Sequence, residues 1–356
     1  MVKFVSFLLL VFVRVALAFP TYESLAGVSE REINEFIARD GGASIPNPPG
    51  PLADDSLKLV ADAAHPFIAP GPNDLPGSCP GMNTLANHGY IPRNGVARPD
   101  QIITAVMEAF NFGNDFAKFV VYQALLLDGN PLTNLLSIGK KTHETGPDPP
   151  KPALVGGLSQ HNTFEGDTSM TRVEAFFGDS FVFNEELFQK FISFCEKFGF
   201  NGTYDIGPAS ELRHQRLQDS IQTSPQLVFI APRILSTYSE ATLPCSSSLM
   251  DVQTTVSSAL TRFPQISPLS QQIFDKHPFT SGVNQGVNNF VLMPNTPALT
   301  DFCGIYKDLV NRVIASQHPN PTGALKKVLN KNLTFLFDGA KVNHNCTQEF
   351  PFGTDN

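Results

Sequence analysis

Ser78-Cys79-Pro80-Gly81-Met82-Asn83-Thr84-Leu85-Ala86-Asn87-His88-Gly89-Tyr90 is the stretch on which the reading of this chain turns. A proline directly after a cysteine fits the first turn of a helix, where its missing N–H costs nothing. Cys79 then stands at a helix entrance, facing free amide donors and the positive end of the helix dipole. Those features lower a thiol pKa and favour the thiolate, the form that ligates metals and attacks electrophiles. Cys-Pro by itself reads more often as a buried structural cysteine beside a turn. His88, nine residues on, is a conceivable metal ligand but reads better as a hydrogen-bonded structural histidine.

Outward from this stretch the periodicity is helical almost throughout. Asp100 can cap a helix carrying Ile102, Ile103, Val106 and Phe110, which resumes after Gly113 through Val121 and Leu125. Further helices are expected at about 184–198, 211–222, 232–241, 301–316 and 323–337. Long Pro- and Gly-rich loops separate them, notably Gly146-Pro147-Asp148-Pro149-Pro150-Lys151-Pro152. No internal repeat or shift in composition marks a second domain, so the fold class is mainly α, one domain with long ordered loops.

Two polar constellations follow Cys79. Glu165-Gly166-Asp167-Thr168-Ser169 offers carboxylates, a carbonyl and a hydroxyl within five residues, the oxygen chemistry that suits Mg²⁺. Alone it is an ordinary polar turn. Arg233 and Glu240, seven residues apart, return to nearly the same helical face about 10 Å along the axis. Spacing alone fits an exposed pair equally well.

The N-terminus is set apart from the domain. Lys3, an apolar run from Phe4 to Val13 and Ala16-Leu17-Ala18 read as a signal peptide over residues 1–18, although Arg14 is unusual there. Residues 19–43 are polar and acidic and read as a propeptide, which leaves a mature domain over 44–356 entered by the extended arm Pro46-Asn47-Pro48-Pro49-Gly50-Pro51. Secretion is therefore expected, with no membrane span. The full chain carries a net charge of −8. Removing residues 1–43 leaves about −7, a field that repels phosphate backbones and argues against nucleic acid.

Five cysteines in a secreted chain leave one thiol over. Cys303 and Cys346 can staple the C-terminal region in an oxidising compartment. Cys195 shares a helical face with Leu187, Phe188, Phe191 and Ile192 and reads as a core thiol. Cys245 has no evident role, and if exposed it offers a covalent dimer where a monomer is otherwise expected. Asn201-Gly202-Thr203 and Asn332-Leu333-Thr334 are glycosylation sequons. Phe numbers 30, Tyr 6 and Trp 0. Core packing accounts for most of the Phe, and scarcity of the easily oxidised aromatics suits a chain exposed to oxidants.

Cys79 through Tyr90, continued by Ile91-Pro92-Arg93-Asn94-Gly95, resembles the proximal segment of the fungal unspecific peroxygenases of the chloroperoxidase superfamily. Gly146-Pro147-Asp148-Pro149-Pro150, Glu165-Gly166-Asp167 and Arg233 with Glu240 continue the resemblance in order, over roughly residues 46–356. The resemblance implies one helical haem-thiolate peroxidase domain with haem b, Cys79 being the axial ligand of its iron. It implies Mg²⁺ held by Glu165, the Gly166 carbonyl and Ser169 against a haem propionate, with Asp167 behind them. Glu240 becomes the acid–base group for hydrogen peroxide, and Arg233 stabilises charge on the departing oxygen. The arginine marks the long type of these enzymes, which also carries a C-terminal disulfide, here Cys303 with Cys346.

The implied activity is hydroxylation or epoxidation of small organic substrates, with side peroxidase activity and halide oxidation open to the superfamily. Peroxide brings both electrons, so no reductase is needed. Phe112, Phe119 and Phe164 match channel aromatics, and Leu235 and Leu243 stand where phenylalanines are common, which implies a wider cavity for bulkier or aliphatic substrates. Residues 246–295 are the least family-like. Ser78 stands where the family has proline, placing a hydroxyl near the sulfur. Two competing readings are a metal-dependent hydrolase using Glu165 and Asp167, which lacks a clustered histidine–carboxylate set, and a non-catalytic haem-binding protein, which would have no use for Glu240.

Overall fold

The computed structural model describes residues 45–354 except 55, 57, 60, 162–164, 247–265 and 343. The signal-peptide and propeptide expectations lie outside the described residues, as does Phe164. Among the described residues no helix is long and apolar enough to cross a membrane.

The centre of the fold is α3 (Asn114–Asp128), which follows α1 (Pro80–Asn87) and α2 (Pro99–Phe110). Val121 through Asp128 are buried without a break, so this helix is surrounded on all sides. Its principal partner is the long helix α9 (Gly323–Ala340), whose Leu325, Leu329, Leu333 and Leu336 form one apolar stripe. The two helices touch at Gly339, where an added side-chain carbon would stand 2.5 Å from the Phe119 nitrogen. Only glycine permits that approach. Each leucine of the stripe contributes about 1.5–3 kcal/mol by leaving water.

The second layer holds α4 (Glu185–Phe198), α5 (Ile206–Thr223), α6 (Ala231–Ser246), α7 (Ile266–Lys276) and α8 (Phe302–Asp308). Here α5 packs on α4, α6 and α7, while α8 packs on α6. After α8 a π-helical stretch, Leu309–Ile314, leads into one more helical turn. Two small antiparallel sheets pin the connections. β1 (Val96–Ala97) pairs with β2 (Leu136–Ser137), and β3 (Val228–Phe229) with β4 (Gly282–Asn284) and β5 (Phe290–Leu292).

Most expected helices are present, with shifted ends. Asp100 lies inside the first turn of α2, and Arg98 is the residue at its cap, its N–H donating to Gln101 Oε1 at 3.0 Å. α5 starts earlier than expected because Asp205 caps it, accepting from the Gly207 amide. The long loops are ordered by side chains, as when Asn130 Nδ2 donates to the carbonyls of Thr145 and Pro147.

The Cys303–Cys346 disulfide is formed, with Cα atoms 5.2 Å apart, and Cys195 is a buried free thiol. The side chain of Cys245 lies outside the described residues. Asn201 is exposed, as a glycosylated residue must be. Asn332 corrects the sequence reading. It is wholly buried in α9, its Nδ2 donating to the Val328 carbonyl at 3.0 Å, and no glycan fits there. Both edges of the described chain meet α9: Lys331 Nζ donates to the Ile45 carbonyl at 2.6 Å, and Asn330 Nδ2 to the Gly353 carbonyl at 2.9 Å.

Candidate active site

Cys79 is the N-cap of α1 and Pro80 begins the helix, as the sequence predicts. The residue before Ser78 is clamped from both sides: Gly77 N–H donates to Asn83 Oδ1 at 2.8 Å, and Asn83 Nδ2 returns to the Gly77 carbonyl at 3.0 Å. Ser78 turns its hydroxyl to the Leu158 carbonyl at 3.4 Å and accepts no role at the sulfur, while its N–H donates to Ser159 Oγ at 3.1 Å. His88 Nδ1 meets the His65 carbonyl at 2.6 Å, the structural role preferred for it.

The thiol of Cys79 is shifted in the direction opposite to expectation. Burial pushes its thiol up, and the nearby Glu240 carboxylate pushes the same way. The Met82 and Gly81 amides and the Arg172 charge oppose this without prevailing. A sulfur so placed gives up its proton when it gains a positive partner, which is the behaviour of a metal ligand rather than a free nucleophile.

Glu240 lies on α6. Much of its surface is open, although protein atoms crowd around it. Cys79 is partly exposed, and the Glu240 charge acts on its thiol. Burial raises the Glu240 carboxyl to about 7; Arg213 pulls it down, Glu165 pushes it up, and Arg233 pulls it down less than Arg213 does. Arg233 itself is buried against the Glu165–Gly166 turn. Its Nη1 donates to the Glu165 carbonyl, and an added carbon on Gly166 would lie 3.0 Å from both its Cδ and Nη1.

That turn is heavily braced. Thr168, at φ +72°, donates its N–H to Glu174 Oε1 at 3.2 Å. Arg216 Nε donates to the Ser169 carbonyl at 2.7 Å and its Nη2 to Glu174 Oε1 at 3.1 Å, while the Ser220 hydroxyl donates to the same Glu174 oxygen at 2.6 Å. The Glu165 carboxylate is taken up by His161 Nδ1 at 2.8 Å, and Asp167 Oδ2 lies 3.6 Å from the other ring nitrogen. Burial alone would lower His161, but bonds to Asp167 and Glu165 hold it at about 9. Among the described residues no group of three or more His, Cys, Asp or Glu side chains is placed to hold a metal ion.

The expected channel residues divide. Phe112 is half-buried against the rings of Phe110 and Phe116. Phe119 is core rather than channel, tilted on Phe302 at 5.2 Å, and Leu235 is buried. The side chain of Leu243 lies outside the described residues.

A thiol at a helix entrance, a nearby carboxylate and buried guanidinium nitrogens without acceptors on Arg172, Arg213 and Arg233 suit one large anionic cofactor with a metal at its centre. Residues 65–267 match the family model described as "Peroxidase, family 2". The chain is 45% identical, over 97% of its length and 98% of the relative's, to an aromatic peroxygenase of Cyclocybe aegerita. This chain belongs to the family 2 peroxidases. It is also 49% identical to an aromatic peroxygenase of Coprinellus radians, over 53% of this chain and 72% of that protein. A dothistromin biosynthesis peroxidase of Dothistroma septosporum is 31% identical over 59% of this chain and 49% of its own. As a family 2 peroxidase the protein is a haem-thiolate oxidoreductase, and the chloroperoxidase-like helical fold is the one expected.

Sequence reasoning missed His161, Arg172, Glu174, Arg213 and Arg216. His161, four residues before Glu165, carried a visible signal. The others acquire meaning only when α5 packs beside the turn.

Proposed function

We propose that the protein is a secreted peroxygenase that uses hydrogen peroxide to insert oxygen into small organic substrates. One observation carries the reading: Cys79 stands at the entrance of α1, and Glu240 on α6 lies near enough for its charge to act on that sulfur. Bound haem supplies the chemistry of peroxide activation and oxygen transfer. Cys79 Sγ would bind its iron, and the backbone clamp at Gly77 fixes where that sulfur stands. The Glu240 carboxylate accepts a proton from one oxygen of hydrogen peroxide and returns it to the other, which leaves as water. Arg233 stabilises the charge developing on the departing oxygen while its Nη1 keeps hold of the Glu165 carbonyl.

Glu165, the Gly166 carbonyl and Ser169 Oγ are the donors we assign to Mg²⁺, with Asp167 behind them. Their support is chemical, since these are hard oxygen donors on one turn that Glu174 and Arg216 brace. Secretion is supported by the N-terminal apolar run, the disulfide and the exposed Asn201. Substrates reach the site past Phe112; Phe119 is withdrawn from the channel. The names of the two aromatic peroxygenases favour oxygen transfer over halide oxidation as the main reaction.

Glu240→Gln tests the reading. The haem spectrum is expected to persist while peroxide-dependent hydroxylation falls by about 10²–10⁴-fold. Near-normal turnover in that variant would remove Glu240 from the mechanism.

A further inference from the structure

Asn345-Cys346-Thr347 fits the acceptor pattern for an N-linked glycan, with one half of the disulfide at its centre. Glycan and disulfide on three consecutive residues would crowd one another if they left the chain on the same side. Here they do not. Asn345 and Thr347 are exposed, whereas Cys346 between them is half-buried and packs on the core. The segment lies outside every helix and strand, and in such a chain successive side chains can leave on opposite sides. The sulfur therefore turns inward to Cys303 on α8, while the two residues that define the acceptor face water.

The segment is held at both ends, so this presentation is a fixed feature of the fold. Before it, the His344 ring stacks on Phe302 of α8 with centroids 4.1 Å apart. After it, Gln348 Nε2 donates to Thr334 Oγ1 of α9 at 3.1 Å and the Glu349 N–H donates to the Tyr306 hydroxyl at 3.3 Å. Asn311 Nδ2 adds a bond to Glu349 Oε2 at 2.9 Å. Asn332 is the opposite case, wholly buried in α9 with its Nδ2 given to the Val328 carbonyl. A glycan is bulky and strongly solvated, and only a surface position accommodates it.

We propose that Asn345 is a glycan acceptor, carrying its oligosaccharide on the same tripeptide as the intact Cys303–Cys346 disulfide. The donor class is a lipid-diphosphate-linked oligosaccharide. Asn345 Nδ2 bonds to the anomeric carbon of the first sugar as the bond from that carbon to the diphosphate oxygen breaks. One amide proton is lost to the departing lipid diphosphate. No electrons change hands, so the step leaves the disulfide as it is. The proposal rests on the secreted reading, since the chain meets such a donor only on the secretory route.

The test uses the full chain secreted from a eukaryotic host and digested without reduction before mass spectrometry. The expected result is a fragment pair joined through Cys303 and Cys346 that also carries a glycan on Asn345. Asn201 should be glycosylated as well, and Asn332 bare. Thr347→Ala keeps both Asn345 and the disulfide but breaks the acceptor pattern, and is expected to lose the Asn345 glycan completely while Asn201 keeps its own. If Thr347→Ala is not secreted, the wild-type spectrum carries the test by itself. A bare Asn345 beside a glycosylated Asn201 overturns this inference alone. Bare residues at both positions overturn the secreted reading and this inference with it. A glycan on Asn345 found only in molecules whose Cys346 is unpaired overturns the proposed coexistence, because glycan and disulfide would then exclude each other.

Discussion

Around Cys79 the backbone does the holding, whereas around Glu240 charged side chains do. The sulfur sits on an N-cap, receives the Met82 and Gly81 amides, and follows a glycine clamped by Asn83. All of these partners lie within six residues. The carboxylate answers to Arg213, Glu165 and Arg233, which arrive from three different segments. A backbone-held group has a position that neighbouring side chains scarcely disturb. A charge-held group has an ionisation that every nearby substitution can move.

The largest effect that sharpens this contrast is expected at the sulfur itself. Cys79→Ser should abolish the red-shifted Soret band of the reduced, carbon monoxide-treated protein together with oxygen transfer. A surviving band would place the thiolate elsewhere. The next concerns pH. Because burial lifts Glu240 to about 7 and the carboxylate is the working form, kcat/KM should fall about tenfold per pH unit below that value. A limb near the ordinary glutamate range, followed by stopped-flow peroxide kinetics, would contradict a buried base.

Gly166→Ala should do less. It crowds Arg233 by a few tenths of an ångström and is expected to cost about 1–3 kcal/mol by chemical denaturation, with a drop in bound magnesium. Unchanged stability and metal content would show that Arg233 does not brace the turn. Ser78→Ala should do least, within about 1 kcal/mol and with no change in the Soret position, because that hydroxyl faces the Leu158 carbonyl.

The same contrast explains what could be read from the amino acids alone. Pro80 announces the start of α1, and Cys79 is local to it, so the helix entrance was legible. The helices expected at about 184–198 and 323–337 were legible for the same reason. Strands of two or three residues carry no period to detect, and the π-helical stretch Leu309–Ile314 keeps a helix-like pattern. Arg213 looks like any surface arginine until α6 covers it. The thiol of Cys79 was expected to be lowered by its amides, but burial outweighs them, and burial is a tertiary quantity. Asn332 shows a sequon mistaken for an exposed site. Leu329 and Leu336, three before and four after it, already placed it on the buried face of α9.

Because α9 grips residue 45 with one side chain and residue 353 with its neighbour, these two positions are moored to adjacent points. A tag, tether or fusion partner joined directly before residue 45 or after residue 353 would leave from the same flank of the molecule. An enzyme immobilised through one of these two points would therefore present much the same face to its surroundings as one immobilised through the other.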